Sequence, residues 1–300
     1  MKNVFVLALL MAAGLQIAVA QTYKPYTIGA ETTGTIISVK ADVKAALESN
    51  DFTVVGEYKP ANDANRWLIA ITCSELKSAV GKVGGTAGFA LVLRVAITKE
   101  AGKVIVSYST PEYWGNAYFQ KNYSKVSSLY STLSDRLKTA LAPLGEKSGT
   151  MFGAKKGMTG SDLQGYHYMM GMPYFQDNIE LNSFGNYDAA VAKIDGNFSK
   201  GIKGLAKVYA VALPDKKLKL YGIGLNGENG ESSFMPTIDI GTPKHTAFLP
   251  YEMLVSDNKV YMLHGRYRIA ISFPDLTMGT FMKIVSTPGY IKEFLESTTK

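Results

Sequence analysis

Two stretches of this chain can be laid over each other, and their match limits the fold more than any other feature. Residues 89–113 read FALVLRVAITKEAGKVIVSYSTPEY, and residues 248–276 read FLPYEMLVSDNKVYMLHGRYRIAISFPDL. In each, an apolar run reaches a short polar turn and a second apolar run follows, the pattern of a β-hairpin. The first turns at Lys99-Glu100-Ala101-Gly102, with Leu91, Leu93, Val95 and Ile97 on one face of its leading strand. The second turns at Ser256-Asp257-Asn258, between strands expected over 248–255 and 260–273.

What surrounds the hairpins repeats as well. Ahead of the first, Val43, Ala46 and Leu47 mark a short helix, and 52–58 and 67–72 are strand-like about a turn holding Pro60, Asn62, Asp63 and Asn65. Ahead of the second, Val191, Ile194 and Phe198 make a helical face, and 206–213 and 217–224 pair about Pro214-Asp215. Each unit closes on a helix, one with Leu129, Leu133, Leu137 and Leu141, the other opening at Pro288 and burying Ile291, Phe294 and Leu295. One element is unmatched. Thr72-Cys73-Ser74-Glu75 has the form of a capping box opening a helix through Val80, whereas 227–245, with Pro236 inside it, reads as a loop. The expected fold class is α+β: two related sheet-and-helix domains from an internal duplication, with antiparallel hairpins packed by helices.

Residues 145–165 divide the units, with six glycines and almost no periodicity. Between Gln21 and Thr150 there is no methionine and no histidine; His167, His245 and His264 and every later methionine follow that point. The expected boundaries are a signal peptide over 1–20, a first α+β domain over 21–145, a Gly/Met-rich linker over 146–186, and a second, diverged domain over 187–300.

Lys2, the apolar run 4–13 and the small residues of Ala18-Val19-Ala20 form the pattern of a secretory signal cleaved before Gln21. A membrane anchor fits less well, because Gly14 and Gln16 interrupt the run and no later stretch is long enough to span a bilayer. The expectation is an exported protein, periplasmic or extracellular and not membrane-spanning. One cysteine, Cys73, excludes an intramolecular disulfide framework and a multi-cysteine zinc module. The formal charge of +7 would fall to +6 with Lys2 removed. The densest basic clusters, Lys155-Lys156 and Lys216, Lys217, Lys219, lack interleaved aromatics, so they read as solvated surface and not as a nucleic-acid site.

The runs AALESNDFTVVGEYKP, WLIAITCSELKSAV and RVAITKEAGKVIVSYSTPEYW resemble domain of unknown function family 302, over about residues 31–142 and more faintly over 187–296. The resemblance implies an α+β fold that occurs singly or in tandem and associates as homodimers. Tandem copies would then pair as a pseudo-dimer within one chain. It implies no activity. The common Cys-Asn-Pro turn is Cys73-Ser74-Glu75 here, and Leu93-Arg94 occupies the region of a second cysteine often found in the family.

Three groups could carry chemistry. Cys73, as first residue of a capped helix, would feel the helix dipole, which lowers a thiol pKa, although its half of the chain has no histidine to act as base. His167, Met169, Met170 and Met172 offer one imidazole and three thioethers, soft ligands suited to Cu(I); methionine packing is the plainer reading. His264, Arg266 and Arg268 fall on one face of an expected strand, a cationic stripe able to hold a carboxylate or phosphate unless it is merely solvated. There is no G-x-S-x-G elbow, Walker loop or H-E-x-x-H. These residues together favour an exported, non-enzymatic protein that binds a small ligand or a protein partner, without a cofactor. A copper-handling protein using the His/Met segment and a thiol-dependent enzyme using Cys73 are the alternatives.

Overall fold

The computed structural model describes residues 20–300; the expected signal segment, apart from Ala20, lies outside the described residues. The first half runs β1 (Thr22–Tyr23), β2 (Tyr26–Thr32), α1 (Ile36–Glu48), β3 (Thr53–Tyr58), β4 (Arg66–Thr72), α2 (Ser74–Val83), β5 (Leu93–Glu100), β6 (Lys103–Ser109), α3 (Pro111–Phe119) and α4 (Ser127–Leu141). Then come β7 (Met151–Phe152), β8 (Met158–Thr159) and α5 (Gly160–Gln164). The second half runs β9 (Ile179–Ser183), α6 (Tyr187–Lys200), β10 (Leu205–Leu213), β11 (Leu218–Leu225), α7 (Glu231–Ile238), β12 (Tyr251–Ser256), β13 (Lys259–Met262), α8 (Gly265–Ser272), α9 (Met278–Met282) and α10 (Thr287–Ser297). The fold is α+β, with every strand pairing antiparallel.

The larger sheet has the order β3-β4-β5-β6-β2-β7, and the second β10-β11-β12-β13-β9. Apart from β7, strand order matches chain order in the same way in both sheets. Both expected hairpin turns are in place: Glu100 pairs with Lys103, and Ser256 with Lys259. Helices α1 and α4 cover one face of the first sheet, as α6 and α10 cover one face of the second. The stripe Leu133, Leu137 and Leu141 of α4 is buried there.

The remaining faces meet each other. On β5, Leu93, Val95 and Ile97 point under the helices, while Arg94, Ala96 and Thr98 face the second half. All six are buried, which requires cover on both sides of the strand. The turn 85–90 lies against β11 and β12, and the turn Thr246–Phe248 lies reciprocally against β4, β5 and β6. Small residues set the separation. A Cβ on Gly56 of β3 would stand 2.0 Å from the Val208 carbonyl oxygen on β10, so the two edge strands approach at a place that admits only glycine.

Three expectations are corrected. Residues 146–186 are not a linker: β7 pairs with β2, β8 with β1, α5 packs on α3, and Phe152, Leu163 and Phe175 are buried. The glycines there serve geometry and not freedom. Gly153, at φ +96°, lies so close to the Tyr26 ring that a Cβ would stand 2.8 Å from it. Residues 227–245 are not all loop, since α7 follows β11 as α2 follows β4, at the loss of one backbone hydrogen bond at Pro236. Finally, the strand expected over 260–273 ends at Met262 and α8 follows. The apparent alternation through 264–273 came from counting Arg268 as a surface residue. It is buried, and Arg266 is the one exposed position of that helix.

Candidate functional site

The seam between the halves is organised around the C-terminal end of α8. The last carbonyls of a helix have no intrahelical donor, and here the first half supplies them. Tyr113 donates its hydroxyl to the Ile271 oxygen at 2.7 Å, and Tyr26 donates to the Ser272 oxygen at 3.3 Å. His245 shares that second carbonyl through Nδ1 at 3.1 Å. A carbonyl can only accept, so Nδ1 carries the proton and Nε2 is left as an acceptor. The imidazole is stacked on Phe273, centroids 4.6 Å apart and 24° from parallel, with Tyr26 at 4.9 Å and Phe152 at 6.0 Å. Burial holds its pKa below the usual histidine value, outweighing the opposite pull of Asp239.

The His245, Phe152 and Phe273 rings form part of the wall of a cleft of about 550 Å³, within the usual range for a small-molecule site. Phe152 of β7, Ala154 just after it, Ile238 at the end of α7, Ile240 beyond it and Phe273 supply apolar surface, and Lys24 and Lys155 are the lysines of the lining. Both carboxylates of the cleft are already engaged. Asp239 accepts from the Arg66 guanidinium across the seam and from the His245 amide at 2.9 Å, and Asp275 accepts from the Lys155 amide at 2.6 Å.

Deeper in the seam lies a charged cluster with no access to solvent. Glu252 of β12 accepts from Arg268 Nη1 at 2.6 Å and from the Tyr209 hydroxyl, and Arg94 Nη1 stands 3.7 Å from the same carboxylate. Arg268 also donates to the Phe248 and Pro250 oxygens at 2.8 and 2.6 Å, and Arg94 to the Phe248 oxygen at 3.1 Å. Tyr209 reaches Glu252 by lying over Gly222, where a Cβ would stand 2.2 Å from its ring.

The residues singled out in the sequence are scattered by this arrangement. His264 caps α8, its Nδ1 accepting from the Arg266 amide at 3.2 Å; Arg266 faces solvent and Arg268 faces the core. The stripe of three is therefore not formed, since on a helix positions 264 and 266 point apart. His167 packs on Tyr174 with centroids 4.5 Å apart, Met169 and Met170 are exposed, and Met172 lies among Tyr168, Ile269 and Met278. Among the described residues no three His, Cys, Asp or Glu side chains converge as a metal ligand set.

Cys73 is the N-cap residue of α2 and not its first helical residue; Thr72, expected as the cap, donates its hydroxyl to the Leu91 oxygen instead. The thiol is 4% exposed, and burial pushes its pKa up to about 11, with Glu75 adding to the rise. The lowered pKa expected from the helix dipole is overturned. In the folded protein Cys73 is expected to react with a maleimide at pH 8 at least roughly tenfold more slowly than in urea. Equal rates in the two conditions would contradict this burial.

Sequence reasoning missed Lys24, Asp239, His245 and Asp275. They come from three separate segments, with Asp239 and His245 in one connection, and only the folded seam joins them; Lys155 belonged to a pair read as solvated surface. No family model matches this chain, and no curated protein matches it. Among solved structures it is similar to an uncharacterized conserved protein of domain of unknown function family 302 (DUF302) from Bacillus stearothermophilus. The two share 11% identity, with a TM-score of 0.33, over 39% of this chain and 94% of that one.

Proposed function

We propose that this protein is an exported, non-enzymatic binding protein, and that its ligand is a small molecule seated in the cleft between the halves. The cleft itself carries the reading: it is of ligand size, both halves and the segment after β7 wall it, and its two carboxylates are held in place by backbone amides. The histidine is held between rings with its proton committed to a carbonyl, an arrangement suited to shaping a wall. The equal strand order of the two sheets and their reciprocal turns support descent from one duplicated domain, paired within a single chain as homodimers of the resembling family are. Export rests on the signal pattern of residues 1–20.

The test is native mass spectrometry of the protein recovered from the cells that make it. The expected species begins at Gln21 and carries one small organic molecule, and Ala154→Trp, which fills the cleft from its rim, loses that molecule while keeping the melting temperature. An intracellular species retaining residues 1–20 would overturn export. A bare mass in the unaltered protein, or an adduct that survives Ala154→Trp, would overturn binding in this cleft.

A further inference from the structure

The charge balance of the cleft points to the class of molecule it takes, given the reading of it as a ligand site. We propose that the ligand is a small organic anion with a flat apolar body, its acidic group at the ammonium groups of Lys24 and Lys155 and its body along Phe152, His245 and Phe273.

The argument begins with which charges are free. Asp239 is neutralised by Arg66 and bonded by the His245 amide, whereas Asp275 accepts only the Lys155 amide and is the one carboxylate of the cleft without an ion pair among the described residues. Lys24 and Lys155 make no ion pair among the described residues. Two lysines against one unpaired carboxylate leave the cleft with a net positive charge, and a carboxylate or sulfonate gains charge-assisted hydrogen bonds from the lysines that an amine forgoes.

The remaining wall is unsuited to a fully polar anion. Phe152, Phe273, Ile238 and Ile240 make an apolar stretch beside Thr242, Thr277 and Thr280, and the imidazole lies stacked on Phe273. A flat ring or short apolar chain covers this surface and excludes water from it. The acceptor character of Nε2 also orients the ligand, because an acidic group placed against it would meet a lone pair. The acid is directed to the lysines, and a hydroxyl or ring N–H on the body can satisfy the histidine.

The experiment is isothermal titration calorimetry of the mature protein with matched acids, amides and amines on phenyl, naphthyl and indolyl rings, for example indole-3-acetate, indole-3-acetamide and tryptamine. The expected result is that, on at least one ring, the acid binds at least roughly tenfold more tightly than its amide, with the amine weakest. In Lys24→Gln/Lys155→Gln the acid should fall to the affinity of the amide, while the amide is unchanged. Amides or amines that bind as well as acids, with binding lost in Ala154→Trp, would overturn the anion proposal and leave the cleft a ligand site. No binding on any ring at any charge would count against the ligand site as well, and the native adduct mass would separate the two failures.

Discussion

Glu252→Ala is expected to destabilise the fold by about 3–5 kcal/mol, read from urea or guanidinium midpoints at constant pH. The carboxylate lies at the centre of the seam with no exposed surface, and two guanidinium groups depend on it. Arg94 and Arg268 are each 2% exposed, so neither can turn to water when the carboxylate is removed. Carbonyl oxygens of Phe248 and Pro250 take up some of their N–H groups, but carbonyls supply partial charge only. With Glu252 gone, two cations remain buried together, and the cost is that of an uncompensated charge, not that of a lost hydrogen bond. The two arginines should not respond alike. Arg268 makes the direct contact at 2.6 Å, whereas Arg94 stands at 3.7 Å and brings the excess positive charge. Arg94→Met leaves a balanced pair, so it should cost less than Arg268→Met. Midpoints placing Arg94→Met as the more damaging of the two, or a Glu252→Ala loss below about 1 kcal/mol, would contradict this account of the cluster. The ordering of the two arginine variants remains informative even if Glu252→Ala fails to fold.

That cluster also marks where sequence reading reaches its end. The hairpins were legible because alternation and turn chemistry are local, and their turn pairs fall where the polar residues put them. The helical stripe Leu133, Leu137 and Leu141 was legible for the same reason. Arg268 was not, because a period-two pattern assumes that charge means surface. One buried, paired arginine was enough to turn a helix into an apparent strand. Residues 146–186 misled in a related way: glycine signalled freedom, yet Gly153 is needed because the Tyr26 ring leaves no room for a side chain. Cys73 shows the limit of a local pKa argument. The helix end is present, but burial, a tertiary property, outweighs it. The cleft is wholly tertiary, since Lys24 and His245 lie more than two hundred positions apart in the chain and no spacing rule connects them.

A second buried carboxylate ties the halves together without a cation, and its consequence is a pH dependence of definite sign. Glu231 is the first residue of α7 and has no exposed surface. Its oxygens accept from the Tyr58 hydroxyl at 3.0 Å, the Ala61 amide at 2.8 Å and the Leu225 amide at 3.1 Å, two of these donors belonging to the first half. Burial pushes its pKa up to about 7 against the pull of those donors, and burial also keeps the Tyr58 phenol protonated. When Glu231 takes a proton, the Tyr58 hydroxyl can turn to accept it, while the two amides remain donors. Below about pH 4.5 the carboxyl is protonated in both the folded and the unfolded chain, and its stabilising contribution is complete. Between about pH 4.5 and 7 the unfolded chain releases the proton and the folded chain keeps it, so stability falls as pH rises. Above about pH 7 both states are ionised and the loss levels off at about 3 kcal/mol. Other carboxylates shift as well, so the quantity to measure is the difference between the wild type and Glu231→Gln, from denaturation midpoints taken across pH 4–9. Relative to the variant, the wild type should lose stability through that window and then run parallel to it. A difference that stays flat would mean an ordinary carboxyl, and one that rises with pH would mean that the seam favours the charged form.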